Sequence, residues 1–447
     1  MGAVSRATTA IEPPPRVKHA LAGARARRRR ASPPPAATRR RCREAVPLTP
    51  RPPSSSRAQY LSSPVTEKHT AEGETGHGAY GISAQQGWRR SMEDAHFAVQ
   101  LDASTSLFAV FDGHGGHEVA EFCAHHLPGE LRAAAAFRAG DFAAALRETF
   151  HAMDDQMRTE AGLGELARLR REASAAEENG GGAAGDGKEG EFNVLSKLLA
   201  LQRMIGPGAP GAPLGGDDAP ARAVAPAPAA GGELAEGDSP RAPRSPLARV
   251  QAGCTAVVAL LHERELFVAN AGDSRAVLCR AGAAVPLSED HKPASARERE
   301  RIVAAGGFLS DVAGVCRVNG NLNLSRAIGD HRYKGNADLA PAAQIITAEP
   351  DVERVAITPE DRFLVLACDG VWDVMSNEEV VVFVGKQLDA GASPTAAASA
   401  LLDACLASDP RETRGVGCDN QTAVIIVFKD GGAALEGGGV GAEPAAA

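Results

Sequence analysis

The sequence predicts an α+β fold in which sheet layers are covered by helices. Three observations carry this. Apolar runs rich in Val, Ile and Leu recur in the second half, at Cys254–Leu261, Glu265–Ala271, Arg275–Arg280, Phe363–Cys368 and Ala423–Phe428, and runs of this length and composition read as strands. Gly272-Asp273 separates two of them, a spacing that predicts a hairpin. Helical periodicity appears at Ser295–Ala305, Asn377–Leu388 and Ser393–Ala407. Turn-joined strands with helices alongside them build covered sheet layers.

The elements follow in chain order. Residues 1–57 are rich in Ala, Pro, Ser and Arg and hold fourteen Lys/Arg against two Asp/Glu. With no apolar periodicity, this stretch reads as a disordered basic extension. A nuclear-localisation patch and an Arg-rich organelle transit peptide both fit it, as does a solvated tail from a mis-assigned start. Patterned sequence begins near Tyr80. Ser106–Phe111 is a short apolar strand that ends at Asp112-Gly113-His114-Gly115-Gly116, and a helix follows from His117. Asp141 has the character of an N-cap, and Phe142, Leu146, Phe150, Met153 and Met157 recur at helical spacing behind it. The pattern breaks over 165–249. Within 205–243, 27 of 39 residues are Gly, Ala or Pro, a composition that cannot offset its own ordering entropy. One island, Phe192–Ile205, keeps helical periodicity and is either a docking helix for a partner or a piece of the core. The tail over 431–447 is again Gly/Ala-rich and reads as disordered. A single domain over 58–430, interrupted by a largely disordered insertion at 165–249, is therefore expected.

Composition excludes several classes. The longest apolar runs stop at eight residues (Cys254–Leu261), far short of the ~20 that span a bilayer. The net charge of −8 hides a basic extension on a strongly acidic body, which makes the core a poor nucleic-acid binder and disfavours a nuclease. None of the eight cysteines is spaced as C-x-x-C, which points to a reducing intracellular compartment, nuclear or cytoplasmic, or an organelle reached through the extension.

The chemistry is expected where acids sit at the ends of apolar strands. Asp112 follows L-F-A-V-F, Asp369 follows F-L-V-L-A-C, and Asp419 precedes N-Q-T-A-V-I-I-V-F; Glu93-Asp94 form a fourth acidic point. Carboxylates brought within about 4–5 Å repel by roughly 3–4 kcal/mol per pair at an effective dielectric of ~20, so something must neutralise them. Oxygen-only donors suit Mg²⁺ or Mn²⁺ rather than zinc. Two such ions can acidify a bridging water and clamp a phosphoryl group, and Gly113 and Gly115-Gly116 allow close backbone approach. Arg89 is a candidate phosphate fork, and His114 a candidate proton donor to a leaving oxygen. Cys405 to Arg411 satisfies a C-x₅-R spacing but has no preceding His or Gly-rich cradle, and a Pro stands before the Arg, so it is dismissed as a nucleophile loop.

The ordered segments G-W-R-R-S-M-E-D-A-H, F-D-G-H-G-G, G-C-T-A-V, N-A-G-D-S-R-A-V, D-H-K-P, R-V-N-G-N-L-N-L-S-R-A-I-G-D, A-C-D-G-V-W-D-V and C-D-N-Q-T-A-V resemble the metal-dependent protein phosphatase 2C family, with the gamma-type branch nearest. The resemblance covers about 58–163 and 250–430. It implies a four-layer α/β/β/α sandwich with two central antiparallel β-sheets. It also implies a serine/threonine phosphatase that uses a water bridging two Mg²⁺ or Mn²⁺ ions, with a weaker third ion. By motif, Asp112 would bridge the two metals and the Gly113 carbonyl would ligate the first. Asp369 and Asp419 would hold the second with Glu93 nearby, and Asp290 and Asp373 would serve the third. Arg89 would bind phosphate and His114 act as general acid. Phosphoprotein substrates and a monomer are expected. The rival reading is a catalytically silent scaffold docking partners through the insertion, which the intact acids disfavour. Gln421 departs from the Met of many relatives.

Overall fold

A computed structural model describes residues 60–180 and 250–429. The basic extension, the Phe192–Ile205 island, most of the insertion and the tail lie outside the described residues. The strands are β1 (Val65–Thr75), β2 (Gly78–Gly87), β3 (Ala95–Gln100), β4 (Thr105–Phe111), β5 (Gly113–His114), β6 (Gly253–Cys254), β7 (Ala256–His262), β8 (Glu265–Ala271), β9 (Arg275–Arg280), β10 (Ala283–Pro286), β11 (Leu309–Val312), β12 (Val315–Val318), β13 (Ile328–Gly329), β14 (Asp351–Ala356), β15 (Asp361–Ala367) and β16 (Gln421–Phe428). The helices are α1 (Glu118–Ala133), α2 (Ala135–Arg138), α3 (Phe142–Arg158), α4 (Glu160–Gly180), α5 (Ala296–Ala304), α6 (Asp369–Trp372), α7 (Asn377–Asp389) and α8 (Pro394–Cys405). One antiparallel sheet has the order β1-β2-β16-β15-β9-β10 and the other β14-β8-β7-β4-β3.

The two sheets stack, and helices cover both outer faces, giving the expected four layers. The reason lies in the two-residue period of strands. On β4, Leu107, Ala109 and Phe111 face outward and pack under α1, α3 and α4. Phe108 and Val110 face inward and meet Leu278, Leu364, Leu366 and Val424 of the other sheet. On β15, Phe363 and Val365 face outward against Val380, Val384, Leu401 and Leu402 of α7 and α8. Strands buried on both faces lose polar alternation and read as continuous apolar runs. Helix α3 carries its expected cap, the Asp141 side chain accepting from the Ala144 N–H at 3.0 Å, and Ser376 and Glu379 close a further capping box on α7.

Two expectations are corrected. Gly272-Asp273 does not turn a hairpin, because β8 and β9 belong to different sheets. The pair is the crossover between the layers. Gly272 has a φ of +127°, and any Cβ there would collide with Thr255. The insertion also begins later than 165. Helix α4 continues to Gly180, because Leu166 and Leu169 reach back into the core under α1. A lesser cluster joins α5, β12 and the following loop through Ile302, Val318, Leu322 and Ile346. It is pinned by Arg326, 2% exposed, which pairs with Glu298 at 2.7 Å and Asp351 at 2.9 Å.

Candidate active site

Three strand ends and one crossover meet at one end of the sandwich. Asp112 follows β4 of one sheet. Asp369 follows β15 and Asp419 precedes β16, both of the other sheet, while Asp273 lies on the crossover. Carboxylate oxygens of Asp112, Asp273 and Asp369 all lie within 4.8 Å of one another. The tip of β4 is fixed by neighbours: the Asp112 N–H donates to Thr255 Oγ1 at 3.3 Å, and that hydroxyl is shared with Ser274 at 2.8 Å. Residues of β5 and β6 pair Gly113 with Cys254. A Cβ on Gly113 would strike the Glu93 carbonyl oxygen, so glycine is what lets the Glu93 strand end press against the Asp112 tip.

The electrostatics are those of under-neutralised acids. Burial, then the charges of Asp369, Asp94 and Asp419, raises the Asp112 carboxyl well above its ordinary range. Burial, then Asp273 and Asp419, does the same to Asp369. Burial pushes Asp94 up to about 7 despite its hydrogen bond from Thr422. Lys292 pairs with Asp273 and Arg89 with Asp419, which leaves Asp112 and Asp369 without an ion-pair partner among the described residues. Burial works against the charge on Arg89, but Asp419, Asp369 and Asp112 outweigh it and hold the guanidinium above its ordinary value. The Cys368 thiol, beside Asp94 and Asp112, is raised far above its ordinary value by burial and by the acids around it. It stays a neutral thiol, and the donor set is carboxylate oxygen. Such a set fits a hard divalent cation.

The other expected residues take distinct places. Glu93 stands at the margin, its oxygens accepting from Ser91 Oγ at 3.0 Å and the Gly116 N–H at 3.3 Å. His114 Nε2 lies 2.6 Å from Asp330 Oδ2. Asp290 is gripped by the Arg275 fork at 2.6 and 2.9 Å and does not join the carboxylate trio. Asp373 faces it from the first turns after β15; burial raises its carboxyl, with Lys292 opposing. Sequence reasoning assigns no site role to Asp273, Lys292 or Asp330, and names Asp94 only as part of the Glu93-Asp94 acidic point. Asp273 obeys the same rule as Asp112, an acid at the end of an apolar strand, but a Gly-Asp pair between two strands also fits turn punctuation. The dismissed Cys405 is buried, with its thiol pushed up to about 12, which no nucleophilic cysteine can tolerate.

The chain matches the family description "Protein phosphatase 2C" over 78–184 and 233–413. It is 42% identical over 372 residues to Probable protein phosphatase 2C 11 of Oryza sativa subsp. japonica, covering 83% of this chain and 90% of that one. It is 41% identical to Probable protein phosphatase 2C 21 of Arabidopsis thaliana, covering 83% and 92%. Protein phosphatase 2C homolog 3 of Schizosaccharomyces pombe is 38% identical, with 83% and 69% covered. Among solved structures, a phosphatase from a pathogenic strain of Toxoplasma gondii shares the fold, with a TM-score of 0.52 at 19% identity over 81% of this chain and 96% of that one. The chain therefore belongs to the protein phosphatase 2C family and is a metal-dependent serine/threonine protein phosphatase.

Proposed function

We propose that this chain removes phosphate from phosphoserine and phosphothreonine in proteins at a centre holding two Mg²⁺ or Mn²⁺ ions, with a weaker third. The observation that carries the reading is the Asp112–Asp273–Asp369 trio, two of whose members have no ion-pair partner among the described residues. Asp112, the Gly113 carbonyl, Glu93, Asp369 and Asp419 would hold the two principal ions. Asp273 and Asp373 would serve the third, while Asp290 acts through Arg275. When bound, such ions cancel the carboxylate repulsion and lower the pKa of water to the neutral range.

The chain's own residues do the rest. Arg89 is half-exposed on Asp419, and its planar fork is free to turn toward a phosphate dianion. Asp330 holds His114 through Nε2 and so leaves the buried, unpartnered Nδ1 to protonate the departing serine or threonine oxygen. Burial opposes a proton on His114, but the charges of Asp330, Asp273 and Glu93 outweigh it and raise the ring above its ordinary value, as a general acid requires. The protein acts inside the cell, in nucleus or cytoplasm or in an organelle reached through the basic extension; the free thiols of Cys254 and Cys123, in hydrogen-bond contact at 3.9 Å, support a reducing compartment. Imaging tagged full-length protein beside one starting at Gln59 tests that address.

Turnover of a phosphothreonine peptide and of an aryl phosphate is expected to vanish after exhaustive chelation and dialysis. It should return with Mn²⁺ or Mg²⁺, and calorimetry should count two tight ions. Undiminished turnover after chelation would overturn the reading.

A further inference from the structure

Between β2 and β3 the chain leaves the sheet, presents Arg89 at the site, and returns at Glu93. The Trp88 carbonyl accepts from the Leu61 N–H at 2.9 Å, while those of Gln86, Arg89 and Ser91 accept from two side-chain amides. Asn420 Nδ2 donates to the Gln86 carbonyl at 2.9 Å and to the Ser91 carbonyl at 3.0 Å. Asn420 Oδ1 accepts the Glu93 N–H at 3.0 Å. Gln86 Nε2 donates to the Arg89 carbonyl at 2.9 Å. The Asn420 backbone N–H donates to Asp419 Oδ1 at 2.8 Å, and a Cβ on Gly370 would collide with the Asn420 carbonyl oxygen. One side chain, 6% exposed, thus touches the backbone on both sides of Arg89 and at Glu93, and its main chain touches Asp419 and the residue after Asp369.

We propose that Asn420 is a positioning residue for the phosphatase reaction, bracing Arg89 and Glu93 against Asp419, with the Gln86 amide as the second half of the brace. The proposal rests on the reading of Arg89 as phosphate fork and Glu93 as metal ligand. The residue type follows from the partners. One acceptor must meet an N–H while two donors meet two carbonyls, and a carboxamide supplies that set. Asp would turn an oxygen toward two carbonyl oxygens and add a charge among acids. Ala would leave two buried carbonyls and one N–H without partners.

The test uses the full-length Mn²⁺ enzyme with Asn420→Ala, Gln86→Ala and Arg89→Ala. The inhibition constant of inorganic phosphate reports the placement of Arg89. Calorimetric Mn²⁺ affinity reports Glu93 and Asp419. Thermal melting followed by circular dichroism reports the fold. Gln86→Ala is expected to weaken phosphate inhibition about three- to tenfold, the worth of one amide hydrogen bond, with Mn²⁺ affinity unchanged. Asn420→Ala is expected to weaken both phosphate inhibition and Mn²⁺ binding by about tenfold or more, because it frees both ends of the excursion. A merely structural residue would lower the melting temperature and leave both constants alone, and that outcome overturns the brace. If Asn420→Ala does not fold, the half-buried Gln86 decides: an unchanged phosphate constant in Gln86→Ala overturns the proposal. Arg89→Ala separates the two layers of the argument. If it raises the phosphate constant while the amide variants do not, the brace alone fails. If it leaves the constant unchanged, Arg89 is not the fork and the underlying reading fails with it.

Discussion

At the scale of single residues, the chemistry turns on acids that the fold crowds together. Asp112 belongs to the close trio and has no cationic partner among the described residues. Asp112→Asn keeps size and packing but removes a shared charge, so turnover at saturating Mn²⁺ should fall by about 10²–10³-fold or more, and calorimetry should find both principal ions weakened together. Stability should move the other way. Burial and neighbouring acids raise the folded-state pKa of Asp112, so the metal-free native state binds a proton more readily than the unfolded chain. Its stability is therefore lost as pH rises from the unfolded value near ~4 through the raised folded value. Metal-free Asp112→Asn should melt higher than wild type at pH 8 and equally at pH 4, as scanning calorimetry at the two pH values would reveal. Asp330 makes a separate case. Asp330→Asn keeps an acceptor for His114 and removes the charge, so the loss should fall mainly on alkyl phosphates with basic leaving groups, within the ~10²–10⁴ worth of a general acid; equal losses on aryl and alkyl substrates would mark Asp330 as structural. Strand-end position made Asp112, Asp369 and Asp419 legible in the sequence. Asp330 is not legible, because the strand it follows, β13, is only two residues long and leaves no apolar run to announce it. Asp290 is expected as a third-metal acid only through its D-H-K-P motif, and motif matching does not show the Arg275 fork that grips it.

At the scale of elements, burial on both faces is what made the fold readable: β4, β7 and β15 lie between layers and so appear as uninterrupted apolar runs. The edges were harder. Strand β1 carries polar residues along its exposed length, as in V-T-E-K-H-T, and nothing in that pattern marks a strand until β2 pairs with it. The lesser cluster around α5 was also invisible, because it is organised by ion pairs between residues distant in sequence. There, burial alone would raise the Glu298 carboxyl, but the Arg326 hydrogen bonds and the Arg301 charge outweigh it and bring it down to about 2. A depressed carboxyl gives stability that is present above the unfolded value of ~4.3 and is lost as pH falls through about 2. Glu298→Gln leaves Arg326 buried and half-paired, and should destabilise the protein by about 3–5 kcal/mol at pH 7. The gap between variant and wild type should close as pH falls toward 2, and a gap that stays constant from pH 7 to pH 2.5 would count against the ion pair as its cause.

At the scale of the molecule, the two halves of the sequence meet in one sandwich. The first half supplies Arg89, Glu93, Asp112 and His114, and the second supplies Asp273, Asp369 and Asp419, so neither half holds a site alone. The insertion separates them in the chain, and the boundary is testable. A short Gly/Ser linker in place of 181–249 should keep turnover of a small aryl phosphate, because outside the Phe192–Ile205 island that composition brings little apolar surface to a core; loss of turnover in a folded variant would make the island a piece of the core. The same linker in place of 165–249 also strips Leu166 and Leu169, which are 1% and 3% exposed, and should destabilise by about 2–5 kcal/mol per leucine; equal melting temperatures for the two deletions would contradict the packing of α4. The stacking of the sheets has a further consequence. Asp112 is carried by one sheet, Asp369 and Asp419 by the other, and the space between them is filled by Phe108, Val110, Val257, Leu278 and Leu366. Those side chains act as gauge blocks: their summed thickness sets how far apart the opposing carboxylates stand. Mg²⁺ insists on short, near-octahedral bonds of about 2.0–2.1 Å, whereas larger cations accept looser cages. The choice of ion is then partly written in hydrocarbon that touches neither water nor metal, and thinning or thickening that filling would read out as a changed preference between Mg²⁺ and Mn²⁺.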